Sequence, residues 1–263
     1  MTTFQILLLV LLINILVLVT LLALSVNLII KNGKNLTAVF LTFCFTLWLF
    51  TDLYWIIYDY MRPESRMPFA ANEIGEAATF LMMAAVINSA VSSRVRISFF
   101  RSFGAVLFAV CNIALWIAWS GEWIQDLFFG VVYAWFLYSI VRSLTVENAL
   151  RIRGWITLGA LCTLLIGCEV LTIGSNEKLI KIMGLGGYII LIVGVIFFAF
   201  NIIREYRTEN RAKTELALSF ALVAWIIMGK YMSEAGWYNL FLALETATVP
   251  LWYLSVRKVV SAA

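Results

Sequence analysis

The sequence contains no histidine and few charges. None of its 263 residues is a histidine, and 13% are charged, against about 25% in a typical soluble domain. The missing imidazole excludes histidine metal sites, histidine general bases and histidine pH switches. The low charge accompanies 63% hydrophobic residues, where soluble domains have roughly 45–50%. This composition indicates a membrane protein.

Several patterns of soluble chemistry are also missing. The sequence has no glycine-rich phosphate loop, Walker pattern or nucleophile elbow. All its cysteines lie inside apolar runs and lack metal-ligand spacing, so we interpret them as packing thiols. They are Cys44, Cys111, Cys162 and Cys168. We expect no cofactor and no metal, and catalysis is not favoured because no nucleophile–base pair stands at helical spacing.

Nine apolar runs recur along the chain, each near the length of about 20 residues that a membrane-spanning helix needs. They cover residues 4–30, 36–60, 72–92, 99–120, 127–145, 154–173, 183–203, 216–232 and 238–256. Because the runs are continuous and do not alternate, they exclude a β-barrel. The sequence predicts an all-α, polytopic transmembrane helix bundle, with residues 1–263 forming a single integral membrane domain.

Basic residues concentrate on alternate loops of this nine-span order. One side of the membrane receives fourteen of the 19 basic residues, and the other side receives five. The positive-inside rule makes the richer side cytoplasmic. The N-terminus is then predicted outside and the C-terminus inside. A count of eight spans would break this alternation, so we favour nine.

A weak internal repeat relates the second and third runs to the eighth and ninth. Trp55 precedes Glu76 by 21 residues, and Trp225 precedes Glu245 by 20, within similar local sequence. If the repeat holds, one leading helix precedes four hairpins, of which the first and last are equivalent. Parallel repeats of this kind occur in transporters, although chance matches between apolar segments are also common.

Carboxylates lie in or beside the apolar runs at helical spacing. In the second run, Asp52 and Asp59 share a stripe with Trp48 and Trp55, at separations of four, three and four residues. Ionisable side chains are expensive in a bilayer and usually face a protein interior or a water-filled cavity. The candidate ligand-binding residues are Asp52, Trp55, Asp59, Glu73, Glu76, Glu169, Lys230 and Glu245.

The predicted topology places all these carboxylates in the outer half of the membrane, with Asp52 deepest. We therefore predict an acidic cavity that opens to the outside and is walled by aromatic rings. Such a cavity suits a small cationic or polar ligand, for example an organic amine held by ion pairing and cation–π contact. A proton-coupled carboxylate relay is the other version of the same hypothesis.

A structural alternative accounts for some of the same residues. Glu73 and Glu76 would offset the dipole at the start of the third helix, which Asn72 would cap. Asp59 would lie in the headgroup zone. Lys230 would either pair with Glu245 or Glu76 or extend its ammonium to the interface. This alternative is favoured for Glu73 and Asp59, and a ligand site is favoured for the deeper carboxylates.

Three classes of function follow. Transport or permeation of a small solute or cation is the first hypothesis, because a cavity is predicted without a soluble output domain. A sensor or receptor subunit that signals through a protein partner at the cytoplasmic face is the second, with a scaffolding subunit of a membrane complex beside it. A membrane-embedded enzyme acting on lipid is the third. We expect contact with the lipid bilayer, no nucleic acid, and a cell membrane location, with the bacterial cytoplasmic membrane favoured by compact size.

Overall fold

A computed structural model describes residues 3–33, 35–61, 69–91, 98–120, 123–173, 175–208, 211–233 and 235–262. Within these ranges the chain forms nine α-helices and no strand. The helices are α1 Thr3–Asn32, α2 Leu36–Met61, α3 Phe69–Ala90, α4 Phe99–Ser120, α5 Trp123–Val146, α6 Ile152–Thr172, α7 Glu177–Thr208, α8 Ala212–Tyr231 and α9 Ala235–Ser261.

The predicted helical membrane bundle is confirmed. Each of the nine predicted runs corresponds to one helix, and seven of the helices in the described ranges are long and apolar enough to cross a membrane. The other two are α3, whose apolar part is the shorter stretch Ile74–Ala90, and α9. Both pack against neighbouring helices on several sides, so polar residues in them are covered by protein.

Consecutive helices pack as hairpins. The pairs α2–α3, α4–α5, α6–α7 and α8–α9 each lie side by side, and α1 packs against both α2 and α9. In a bilayer the backbone N–H and C=O groups must form their hydrogen bonds within each helix. Short connections between antiparallel helices keep the amount of backbone outside the helices small. The equivalence of the first and last hairpins remains a prediction.

Helix α8 forms the centre of the bundle. Fifteen of its residues are buried, and it contacts α3, α5, α7 and α9. Its Trp225 indole donates a hydrogen bond of 2.9 Å to the carbonyl oxygen of Leu191 on α7. The indole packs directly on Gly194, where a Cβ atom would overlap it. A helix that is apolar on all sides is expected in such a position.

The outer helices have the opposite character. Only 11% of the apolar stretch of α6 is buried, against 89% of that of α8. Large apolar side chains remain exposed along α1, α4, α6 and α7, for example Leu16, Val110, Leu164 and Phe200. A soluble monomer rarely exposes so much contiguous apolar surface. This surface is therefore in contact with lipid.

Candidate functional site

Four charged side chains from four helices line one small cavity. Asp52 comes from α2, Glu76 from α3, Lys230 from α8 and Glu245 from α9. The cavity has a volume of about 20 Å³. Its other lining residues are Trp48, Thr51, Thr79, Phe80, Ile227 and Tyr231.

Lys230 and Glu245 form a buried ion pair. The Lys230 ammonium nitrogen Nζ lies 2.9 Å from Oε2 and 3.1 Å from Oε1 of the Glu245 carboxylate. The side chains are 11% and 0% exposed, respectively. A helical side chain leans toward the N-terminus of its helix. Lys230 near the end of α8 therefore extends back into the bundle, and it does not reach out to the interface.

Asp52 is held by a series of side-chain hydrogen bonds that begins at Asn14 on α1. The side-chain amide of Asn14 donates a hydrogen bond of 2.7 Å to Oδ2 of Asp52. The hydroxyl of Thr246, the residue after Glu245, donates one of 3.1 Å to the Asn14 carbonyl oxygen Oδ1. Asn14 is 1% exposed. These two hydrogen bonds connect α1, α2 and α9 at the level of the ion pair.

Glu76 and Tyr231 complete the cavity on the α3 side. The Tyr231 hydroxyl is within hydrogen-bonding reach of the Glu76 carboxylate. The Tyr231 ring contacts Phe80 and Phe129 edge-on, with ring centroids 6.2 Å apart in each case. These aromatic contacts fix the ring and so orient its hydroxyl.

The charges of the four lining groups do not balance when all of them are ionised. Lys230 carries one positive charge, whereas Asp52, Glu76 and Glu245 carry three negative charges together. Asp52 receives the neutral amide of Asn14 as its hydrogen-bond donor. Because charge is costly away from water, such a cluster favours uptake of one proton or one monovalent cation.

The structure brings together half of the predicted site residues. Asp52, Glu76, Lys230 and Glu245 share the cavity. Trp55 lies about one turn further along α2 and does not line it.

Of the other three predicted residues, Glu169 has a described side chain and does not line this cavity. Glu169 lies on α6 and faces α7, where its Oε1 is 3.8 Å from the position of a Cβ on Gly187. The side chains of Asp59 and Glu73 lie outside the described residues.

The size of the cavity differs from the expectation. A site for an organic amine belongs to a class of pockets that measure about 300–1,000 Å³. The space lined by the described residues is about 20 Å³, and roughly 10–15 Å³ is enough for one water molecule. The Lys230 ammonium belongs to the lining and lies 2.9 Å from Glu245, where it takes the place that the ammonium of a ligand would occupy. The sequence could place the charges but could not give this volume.

Three residues that contribute to the site were not predicted from the sequence. They are Asn14, Tyr231 and Thr246. A signal for Asn14 was present, since this amide interrupts an otherwise apolar run from Ile6 to Val19. A lone polar residue deep in an apolar helix usually faces another helix. No comparable signal marks Tyr231 or Thr246.

Comparison of the chain with models of known protein families, with curated proteins and with solved structures gives no match. The functional conclusion therefore depends on the residues themselves.

Proposed function

We propose that this multi-pass membrane protein transports a proton or a small monovalent cation, and that Asp52, Lys230 and Glu245 form its ion site. The observation that carries the proposal is the charge imbalance of this cluster inside the bundle. An intramembrane cluster of ionisable groups is typical of proton relays and ion pathways. We further propose a location in a cell membrane, of the bacterial cytoplasmic type.

The volume of the cavity supports the choice of ligand. A space of about 20 Å³ accommodates a proton, a water molecule or a small dehydrated cation, but not an organic amine. Asp52 and Glu76 are each partly exposed, so the cavity is not sealed from its surroundings. With the N-terminus outside, the cluster lies in the outer half of the membrane and takes up its ion from that side.

Asp52 is proposed as the group that exchanges the ion. Glu245 already has a cationic partner in Lys230, at 2.9 Å. Asp52 accepts a hydrogen bond from the neutral amide of Asn14, and Lys230 attracts it less strongly than it attracts Glu245. A proton or cation that binds at Asp52 lowers the excess negative charge of the cluster by one, and its release restores that charge.

A flux assay tests this proposal. The purified protein is reconstituted into liposomes that contain a pH-sensitive dye, and an imposed pH or sodium gradient drives uptake. Wild type should show flux above that of empty liposomes, and Asp52→Asn should abolish it. Asp126→Asn removes the same charge on α5 away from the cavity, and it should keep the wild-type rate.

Two results would contradict the proposal. One is an absence of proton, sodium and potassium flux in wild type under every gradient. The other is equal loss of flux in Asp52→Asn and Asp126→Asn, which would indicate general damage to the protein and no special role of Asp52.

A scaffolding or sensing role is the second candidate. It is favoured by the ion pair between α8 and α9 and by the hydrogen bonds that link α1, α2 and α9. Such a network specifies how helices pack even when it binds no ion. A correctly folded wild type without flux would favour this candidate.

A further inference from the structure

A second, larger cavity lies against a different face of α8 from the small one. It has a volume of about 530 Å³ and is bounded by α4, α5, α6, α7 and α8. Among the described residues that line it, Arg101 is the only charged side chain. We call it the apolar cleft.

Small residues create the apolar cleft. A Cβ atom added at Gly104 on α4 or at Gly159 on α6 would meet no atom within 4 Å. Ala221 and Ala224 form part of its floor on α8. The α4–α5 and α6–α7 hairpins therefore meet only loosely here, whereas each is packed closely within itself. A void of this size is unfavourable when empty, because its lining forfeits dispersion contacts.

The length of the apolar cleft matches one leaflet of a bilayer. Along α4 its lining extends from Phe100 to Cys111, and along α6 from Trp155 to Ile166. At 1.5 Å per residue each distance is about 16 Å. This is close to half of the roughly 30 Å of a hydrocarbon core, the depth that one acyl chain occupies.

A positive charge marks one end of the apolar cleft. The Arg101 guanidinium lies over the Trp155 ring, 4.6 Å from its centroid. Arg151 and Arg153 are exposed in the turn and first residues that lead into α6. None of these three arginines pairs with a carboxylate of the described chain. The predicted topology places this end at the cytoplasmic surface.

We propose that the apolar cleft binds one acyl chain of an anionic phospholipid from the cytoplasmic leaflet, with the lipid phosphate at Arg101. The apolar walls provide the surface for the chain, and the arginine provides the partner for the headgroup. Basic pockets between transmembrane helices on this side of a membrane are suited to anionic headgroups. A partner protein would not need a slot one leaflet deep that ends at a cation.

Lipid titration of the delipidated protein tests the proposal. Native mass spectrometry counts bound lipid in detergent at low ionic strength, with phosphatidylglycerol and phosphatidylcholine of identical acyl chains. Wild type should retain one phosphatidylglycerol in preference to phosphatidylcholine. Arg101→Ala should weaken phosphatidylglycerol binding about fivefold, the effect expected for one basic residue at a membrane surface.

Matched variants separate the apolar cleft from other surfaces. Gly159→Leu fills it and should abolish the retained lipid. Gly167→Leu makes the same change on the same helix, also in open space but outside the lining, and should bind lipid as wild type does. Lys31→Ala removes a basic residue from the same predicted side, at the end of α1, and should have no effect on the retained lipid.

The proposal fails if Gly159→Leu retains lipid as well as Gly167→Leu does, because the lipid then binds elsewhere. It also fails if Arg101→Ala and Lys31→Ala weaken binding equally, because the headgroup then responds to general surface charge. Equal retention of phosphatidylcholine and phosphatidylglycerol by wild type would exclude the headgroup contact at Arg101.

Discussion

The two cavities beside α8 are opposites in size and chemistry. The small one measures about 20 Å³ and is lined by four charged side chains. The apolar cleft measures about 530 Å³ and is lined by one. Ile227, Lys230 and Tyr231 of α8 face the first, whereas Trp225 and Met228 face the second. One helix thus serves as the common wall of both.

The difference shows how a membrane protein treats polar and apolar space. The Lys230 ammonium and the Glu245 carboxylate pair closely in the small cavity, because each unpaired charge is costly away from water. Apolar walls have no comparable attraction in lipid, since the tails are as apolar as the side chains. The apolar cleft can therefore stay open and be filled by the surrounding lipid. Two predictions test this contrast, and a third concerns a carboxyl outside both cavities.

The largest effect should follow from breaking the buried ion pair. Lys230→Met leaves the Glu245 carboxylate buried without its cationic partner, and this should lower the free energy of unfolding by about 3–5 kcal/mol. The double variant Lys230→Met with Glu245→Leu removes both charges and should recover a large part of the loss. Denaturant titration in detergent measures the two variants against wild type.

The exposed pair Lys181–Glu177 serves as the control. Its Nζ–Oε1 distance of 2.7 Å is short, but the two side chains are 74% and 84% exposed. Lys181→Met should lower the free energy of unfolding by less than about 1 kcal/mol. If Lys230→Met were equally mild, the small cavity would be well hydrated, and the contrast between the two cavities would not hold.

The next largest effect concerns the contact of Trp225 on α8 with α7. Gly194→Ala places a methyl group against the Trp225 indole, which is rigid and is also held by its hydrogen bond to Leu191. Overpacking of this kind should cost about 1–3 kcal/mol. Because Trp225 lines the apolar cleft, the variant should also change lipid retention, while the ion pair on a different face of α8 stays intact.

Gly184 on the same helix provides the opposite case. A Cβ there meets no atom within 4 Å. Gly184→Ala should be neutral or stabilise the protein by up to about 1 kcal/mol, since alanine favours the helix. Thermal unfolding in detergent compares the two variants, and the same sign for both would show that the Trp225 wall is not tightly packed.

The smallest effect belongs to Glu147, which lies outside both cavities in the turn after α5. Burial raises the pKa of this carboxyl above its usual 4.5, and the nearby Lys213 and Arg211 partly oppose the shift. The folded protein then binds this proton more tightly than the unfolded chain does. Stability from this group is present at acidic pH and is lost as the pH rises through the folded pKa.

Glu147→Gln should remove this decline of stability with rising pH and leave the rest of the dependence of stability on pH unchanged. Unfolding measured across mildly acidic pH checks the difference, with Glu177→Gln as an exposed control. A steeper decline with rising pH in Glu147→Gln than in wild type would reverse the sign and contradict the interpretation.

The sequence predicted the helices well because hydrophobicity is local. The prediction is less accurate at the ends of the helices. The clearest case is α7, which is predicted over residues 183–203 and extends over Glu177–Thr208. Hydropathy ends where polar residues begin, but backbone hydrogen bonding continues. At the start of α7, for example, the backbone N–H of Ile180 donates a hydrogen bond of 3.1 Å to the carbonyl oxygen of Asn176.

The two cavities were predictable to different degrees. Asp52, Glu76, Lys230 and Glu245 could be grouped because a charge in an apolar run is conspicuous and the topology places it at a depth. Their spacing could not be predicted, because it depends on helix rotation and tilt. The apolar cleft left no trace in the sequence, since its lining comes from five helices and consists of the same residues that face lipid elsewhere.

The ion pair between α8 and α9 has a consequence for biosynthesis. A lone lysine or acidic residue near a helix centre opposes membrane insertion by about 2.5–3.5 kcal/mol. Lys230 stands near the end of α8, and Glu245 follows on α9 after the short connection between them. Helix α9 released alone would carry the Glu245 carboxylate into the hydrocarbon without its cationic partner. We therefore expect the ribosome to complete α9 before α8 leaves the insertion channel, so that Lys230 and Glu245 are already paired when the two helices enter the bilayer.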